Sequence, residues 1–114
     1  MRSLCLIPCF NEENKLLDLI KQIKNFDQTK YKVDFLFIDN GSTDRSLQII
    51  KESQVEFISY QINKGVGYAL IDGLKIGIKK NYDSMVHIAA NGKMHPNEIN
   101  ILLDKIYKNN FEFV

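Results

Sequence analysis

Residues 33–44 read Val-Asp-Phe-Leu-Phe-Ile-Asp-Asn-Gly-Ser-Thr-Asp. The first six are apolar on nearly every position, the pattern of a strand buried on both faces and typical of a parallel sheet. The next six deliver a carboxylate (Asp39), a tight turn (Gly41) and hydroxyl or carboxylate helix caps (Ser42, Thr43, Asp44) to one spot. That spot is the C-terminal end of a strand, where open α/β sheets bind ligands. Taken alone, the same residues also describe a plain capped helix start, so the flanking segments decide.

Working outward, apolar runs alternate with helix-like segments. Leu4-Cys5-Leu6-Ile7 is a short buried strand ending at Pro8. Residues 12–26 carry Leu16, Ile20 and Ile23 at helical spacing, with Lys15, Asp18, Lys21 and Lys24 around them. A second helix is expected over 43–52, with Leu47, Ile49 and Ile50 inward, and a third strand over 55–60. The third helix, 67–80, has two stripes: Leu70, Leu74 and Ile78, and the small residues Ala69, Gly73 and Gly77. Each helical glycine costs on the order of 1 kcal/mol relative to alanine, which a close approach to the sheet or to a ligand would explain. A fourth strand is expected over 84–89. Pro96 suits a first helical position, and Ile99, Leu102, Leu103 and Ile106 give the fourth helix its apolar face. Phe111-Glu112-Phe113-Val114 reads as the start of a fifth strand, which suggests a piece of a longer domain.

The β-α-β-α-β-α-β-α order implies a three-layer, Rossmann-like α/β fold with a mostly parallel sheet, residues 1–114 forming one unit. At 114 residues, 45% hydrophobic and 25% charged, the chain is globular. A net charge of +1 without a basic stripe disfavours nucleic acid as a partner. No apolar run reaches membrane-spanning length. Cys5 and Cys9 would lie roughly 13 Å apart on one extended strand, too far for a disulfide. They read as small buried residues in a reducing, cytoplasmic compartment.

In a parallel sheet every loop after a strand lies on one rim. Residues 8–13, 39–42, 63–67 and 90–93 therefore converge, and they are the segments richest in Asn, Asp, Gly and Lys. Their chemistry suits a nucleotide. Asp39 accepts hydrogen bonds from a base or ribose edge, and Phe10 offers a face for stacking or for ordinary packing. Lys64 is a point charge for phosphate, or else a solvated one. Gly65 and Gly67 let backbone N–H groups approach an anion at a helix start. Gly65-Val66-Gly67-Tyr68-Ala69-Leu70 differs from the dinucleotide fingerprint: Leu70 replaces the last glycine, and the string follows the third strand rather than the first.

Three segments in order resemble family 2 glycosyltransferases of the GT-A fold. Ile7-Pro8-Cys9-Phe10-Asn11-Glu12-Glu13 is similar to that family's opening strand-loop, Asp39-Asn40-Gly41-Ser42-Thr43-Asp44 to its DDGSTD segment, and Asn63-Lys64-Gly65-Val66-Gly67-Tyr68-Ala69 with Gly73 to its third segment. The resemblance implies the N-terminal, donor-binding half of an inverting enzyme that takes a UDP- or GDP-linked sugar and passes it to an acceptor hydroxyl. It places Pro8, Phe10, Glu12 and Asp39 around base and ribose, and Lys64 and Gly67 beside the nucleotide, with Asn91 as a further candidate. A divalent ion, Mg2+ or Mn2+, would clamp the diphosphate.

Two departures qualify that expectation. The positions of the family's Asp-x-Asp pair read Ala89-Ala90-Asn91, without a carboxylate, and hard divalent ions prefer charged oxygen. Lys93 would then neutralise phosphate, or Asn91-Gly92 is simply a turn. The part of the family that supplies the acceptor site and general base is also missing, so no residue receives a catalytic role. The alternative is a non-catalytic nucleotide-binding or scaffolding module. A sheet edge left open near a fifth strand makes a homodimer a candidate assembly, and missing C-terminal parts would be what brings the protein to the inner face of a membrane.

Overall fold

The computed structural model describes residues 2–109. Four strands, β1 (Arg2–Cys9), β2 (Lys32–Asn40), β3 (Phe57–Tyr60) and β4 (Ser84–His87), form one sheet in the order β3-β2-β1-β4, and every pairing is parallel. The helices between and after them are α1 (Glu13–Lys24), α2 (Ser46–Glu52), α3 (Val66–Lys79) and α4 (Ile99–Asn109). The chain steps outward from β1 to β3, then returns to pair β4 on the other side of β1. The strand order therefore reverses between β1 and β4, which opens a crevice at their C-terminal ends.

Strand side chains alternate between the two faces of the sheet. Cys5, Ile7, Cys9 and Phe37 pack with Leu16, Leu19, Ile20 and Ile23 of α1, Ile50 of α2, and Ile99, Leu103 and Ile106 of α4. Leu4, Leu6, Leu36 and Ile38 pack on the opposite face with Ala69 of α3. The result is the three-layer, Rossmann-like arrangement, with α3, among the described helices, alone on its side. Both cysteines are free and buried. Burial, followed by the neighbouring Asp39 carboxylate, pushes the Cys9 thiol up to about 12 against the opposing hydrogen bonds to Ser46 and the Glu12 backbone.

The small residues, not the leucines, form the buried stripe of α3. Ala69, Gly73 and Gly77 are its buried residues, while Ile78 of the expected apolar stripe is 69% exposed. The helix lies too close to the sheet for larger side chains. A Cβ at Gly73 would come within 2.7 Å of Leu6 Cδ1, and one at Gly77 would overlap Met85 Sδ. Leu70 and Ile76 flank this contact and cover the sheet from the sides.

Several boundaries are tighter than the sequence pattern suggests. Helix α2 starts at Ser46 rather than residue 43, because Thr43 and Asp44 use their groups to join another loop. Strand β3 begins at Phe57, and β4 ends at His87, although the Ile88 N–H still donates to the Leu6 carbonyl at 3.0 Å. Pro96 opens a short 3-10 turn (Pro96–Glu98) before α4, capped by His95 Nδ1, which accepts the Asn97 N–H at 3.1 Å. At the opposite end of the sheet, Ser3, Ser84 and Tyr107 share a ring of hydroxyl hydrogen bonds of 2.7–2.9 Å. Asp104 anchors Lys30 and accepts a hydrogen bond from Tyr31. The expected strand over residues 111–114 lies outside the described residues. Among those described, no helix is long and apolar enough to cross a membrane.

Candidate functional site

The β1–β2 register sets Cys9 opposite Asp39, and the β2–β3 register sets Asp39 opposite Ser59. Asp39 shares a face with Phe37 and is the penultimate residue of the strand. It is 1% exposed. Its Oδ2 accepts one hydrogen bond, from Ser59 Oγ at 3.3 Å, and its Oδ1 is buried with no partner. Leaving a buried polar atom unmet costs about 1–3 kcal/mol, so this oxygen calls for a hydrogen-bond donor from outside the described residues.

The loop after β1 is built onto the loop after β2. Asn11, held at φ +53°, donates its N–H to Ser42 Oγ (3.0 Å), while its Oδ1 accepts the N–H groups of Thr43 (2.8 Å) and Asp44 (3.2 Å). The Glu12 N–H donates to Ser46 Oγ at 2.9 Å, and the Glu13 N–H to Asp44 Oδ2 at 3.2 Å. Asp44 Oδ1 accepts the Ser46 N–H at 2.8 Å, while Glu13 Oε2 takes the Arg45 N–H at 3.1 Å. Partial burial opposes the charge on Asp44, but the Ser46 and Glu13 hydrogen bonds outweigh it and hold the carboxyl below its ordinary range. The acidic and hydroxyl residues of both segments thus serve first as a clamp.

That clamp fixes Pro8 and Phe10 beside Asp39. Pro8 is half-buried opposite Ile38, and Phe10 follows Cys9 directly with 43% of its surface exposed. Glu12 is half-buried, and its carbonyl accepts the Lys15 and Leu16 N–H groups to start α1.

The loop after β3 is docked on the other flank. Asn40 Oδ1 accepts the Lys64 N–H at 2.9 Å, and Asn63 Oδ1 accepts the Gly65 N–H at 2.7 Å. The Gly65 N–H therefore serves the loop rather than an anion. Gly41, at φ +75°, lies so close to this loop that a Cβ would overlap the backbone of Ile62 and Asn63. At Gly67 a Cβ would meet nothing within 4 Å, so packing does not require that glycine.

Lys64 is exposed, with its ammonium beside two aromatic rings. Its Nζ lies 4.9 Å from the centre of the Tyr68 ring and 5.2 Å from that of Tyr60. The two rings meet edge to face at 5.5 Å. The Tyr60 hydroxyl donates to Asp72 Oδ2 at 2.6 Å. Burial and the Asp72 carboxylate push the Tyr60 phenol well above its ordinary range, so it stays the donor. Sequence reasoning missed this support. Tyr68 and Asp72 share a helix face at i, i+4 and could have been paired from spacing, but Tyr60 reaches them only through tertiary structure.

The loop after β4 behaves differently. Asn91 is half-buried, its Oδ1 accepts the Lys93 N–H at 3.0 Å, and its carbonyl accepts Lys15 Nζ at 2.8 Å. With Lys15, Asp18, Gln22 and His95 it lines a cavity of about 290 Å³ on the flank of α1. The structure thus gathers Pro8, Phe10, Glu12, Asp39 and Lys64 around the ends of β1–β3, with Gly67 on the first turn of α3 and Asn91 tied to α1. Among the described residues, no three of His, Cys, Asp or Glu are grouped to hold a metal ion.

The sequence profile of a family described as "Glycosyl transferase family 2" matches residues 5–114. The UDP-N-acetylglucosamine–dolichyl-phosphate N-acetylglucosaminyltransferase of Methanococcus voltae is 27% identical, over 96% of this chain and 49% of its own. The chain thus spans about half the length of that curated relative. Among solved structures, S. aureus TarS 1-349 in complex with UDP-GlcNAc superposes with a TM-score of 0.74 at 17% identity, covering 96% of this chain and 32% of that one. Glucosyl-3-phosphoglycerate synthase from Mycobacterium tuberculosis, solved with Mn2+, UDP and glucosyl-3-phosphoglycerate, gives 0.72 at 22% identity, over 92% of this chain and 39% of that one.

Proposed function

Because this chain belongs to glycosyl transferase family 2, we propose that its β1–β3 rim holds the nucleoside of a UDP- or GDP-linked sugar. The unpartnered Oδ1 of buried Asp39 carries the proposal. An N–H of the base or an O–H of the ribose would satisfy it. Phe10, half-exposed next to Cys9, offers its ring to the base. Pro8 and Glu12 shape the same wall. The first-turn N–H groups of α3 near Gly67 point out of the helix and face the negative end of the ligand.

The reaction proposed for the whole protein is inverting transfer. An acceptor hydroxyl oxygen attacks the anomeric carbon, the bond from that carbon to the diphosphate oxygen breaks, and the nucleoside diphosphate leaves with the bonding pair. The acceptor proton passes to a base supplied by the part of the family's length that this chain does not span. The curated relative from Methanococcus voltae, a UDP-N-acetylglucosamine transferase by name, supports a nucleotide-sugar donor. The carboxylate-free loop after β4 favours a second reading, a nucleotide-binding module that transfers nothing. Donor consumption by the full-length protein separates the two.

Calorimetry with uridine, UDP, guanosine and GDP tests the donor site. One base series should bind, and Asp39→Ala should weaken it by roughly a hundredfold, the loss expected for a charged hydrogen bond. Failure of all four ligands to bind the wild-type protein overturns the assignment.

A further inference from the structure

The chain contains no Asp or Glu between Asp83 and Glu98. Any register of the β4 loop therefore lacks the carboxylates that a divalent ion needs beside the diphosphate. Asn91 does not substitute for them. Its amide oxygen is occupied by the Lys93 N–H and its carbonyl by the Lys15 ammonium. A cation brought to that carbonyl would meet the positive charge of Lys15 2.8 Å away. The donor set does not fit Mg2+ or Mn2+.

Positive charge is nevertheless present at the rim. Lys64 has its main chain fixed by Asn40, the residue after Asp39, and its ammonium held over Tyr60 and Tyr68. Aromatic faces attract an ammonium without using up its three N–H donors. Asp72 fixes the Tyr60 ring, and so fixes the cage.

We infer that this protein binds the diphosphate of its ligand without a divalent ion, its charge being met by the ammonium group of Lys64. The inference rests on the donor-site reading above. Tyr60, Tyr68 and Asp72 are positioning residues in it: they hold Lys64 and touch no ligand. A lysine remains a point charge that orients phosphate through hydrogen bonds, as in other phosphate sites.

The test is calorimetry on the full-length protein with the nucleoside, and with the diphosphate of the same base, each in EDTA and in Mn2+ or Mg2+. Diphosphate affinity should agree within about twofold across the three conditions. Lys64→Gln should weaken the diphosphate by roughly tenfold and leave the nucleoside unchanged, and Lys64→Arg should restore most of the loss. Tyr68→Leu should weaken the diphosphate selectively, a pattern that general destabilisation would not give. Diphosphate binding that disappears in EDTA while nucleoside binding persists overturns the inference and leaves the donor site standing. Equal losses of nucleoside and diphosphate in Lys64→Gln also overturn it. Failure of the nucleoside itself removes the donor-site reading.

Discussion

The side-chain oxygen of Asn11 accepts the main-chain N–H of Thr43 at 2.8 Å, joining residues 32 positions apart. The same oxygen takes the Asp44 N–H, so one amide holds two successive donors of the neighbouring loop. Asn11 adopts φ +53°, a region that Asn tolerates better than most residues. Asn11→Ala should therefore lose both bonds and leave a strained backbone, costing about 2–3 kcal/mol. Asn11→Gly relieves the strain but not the bonds and should recover only part of that. Urea midpoints of the three proteins measure the split.

The clamp also sets an acid limb. Asp44 has its carboxyl held below the ordinary value in the folded protein. Its contribution is complete above the unfolded value of 3.8 and is lost as pH falls through the lower folded value. Thermal melts on the acid side of 3.8 should show wild-type stability falling towards that of Asp44→Ala, with the difference between them largest at neutral pH. A constant difference across this range would remove Asp44 as the titrating group.

Much of this arrangement is legible in the sequence because two signals coincide. The apolar run through residues 33–38 demands burial on both faces, and Gly41 demands a turn that no side chain permits. Chain order then brings the four loops to one rim. The support for Lys64 is not legible, because Tyr60 belongs to β3 and reaches α3 only when the loop folds back. The face that α3 buries was legible in part: both stripes show in the sequence, and a close approach to the sheet accounts for the small one. Helical periodicity ranks Leu70, Leu74 and Ile78 by hydrophobicity, whereas the short distance to Leu6 and Met85 selects for small size.

That distance gives an ordering for substitutions on α3. Gly73→Ala gains about 1 kcal/mol in helix propensity but drives a methyl into both Leu6 methyl groups, at 2.7 and 2.8 Å, where Leu6 is fully buried and cannot withdraw. Gly77→Ala meets a Met85 thioether, a flexible side chain that is only partly buried. Gly73→Ala should be the more destabilising, by about 1–3 kcal/mol net. Calorimetric melting temperatures that reverse this order would show that Leu6 has room to move.

Gly67 separates packing from ligand approach. It lies in the first turn of α3 with open space where a Cβ would stand. Alanine there should stabilise the protein by about 0.5–1 kcal/mol. If the first turn of α3 approaches the diphosphate, the added methyl should at the same time weaken diphosphate binding and spare the nucleoside. Gly41→Ala is the opposite case, since φ is +75° and a Cβ would stand 2.8 Å from Ile62 Cα. It should cost at least about 2 kcal/mol and reduce all binding together, by loosening Asp39 and Lys64 at once. Melting temperature plotted against diphosphate affinity for the two variants is the measurement. A Gly67→Ala protein that gains stability and keeps full affinity would move the diphosphate away from α3.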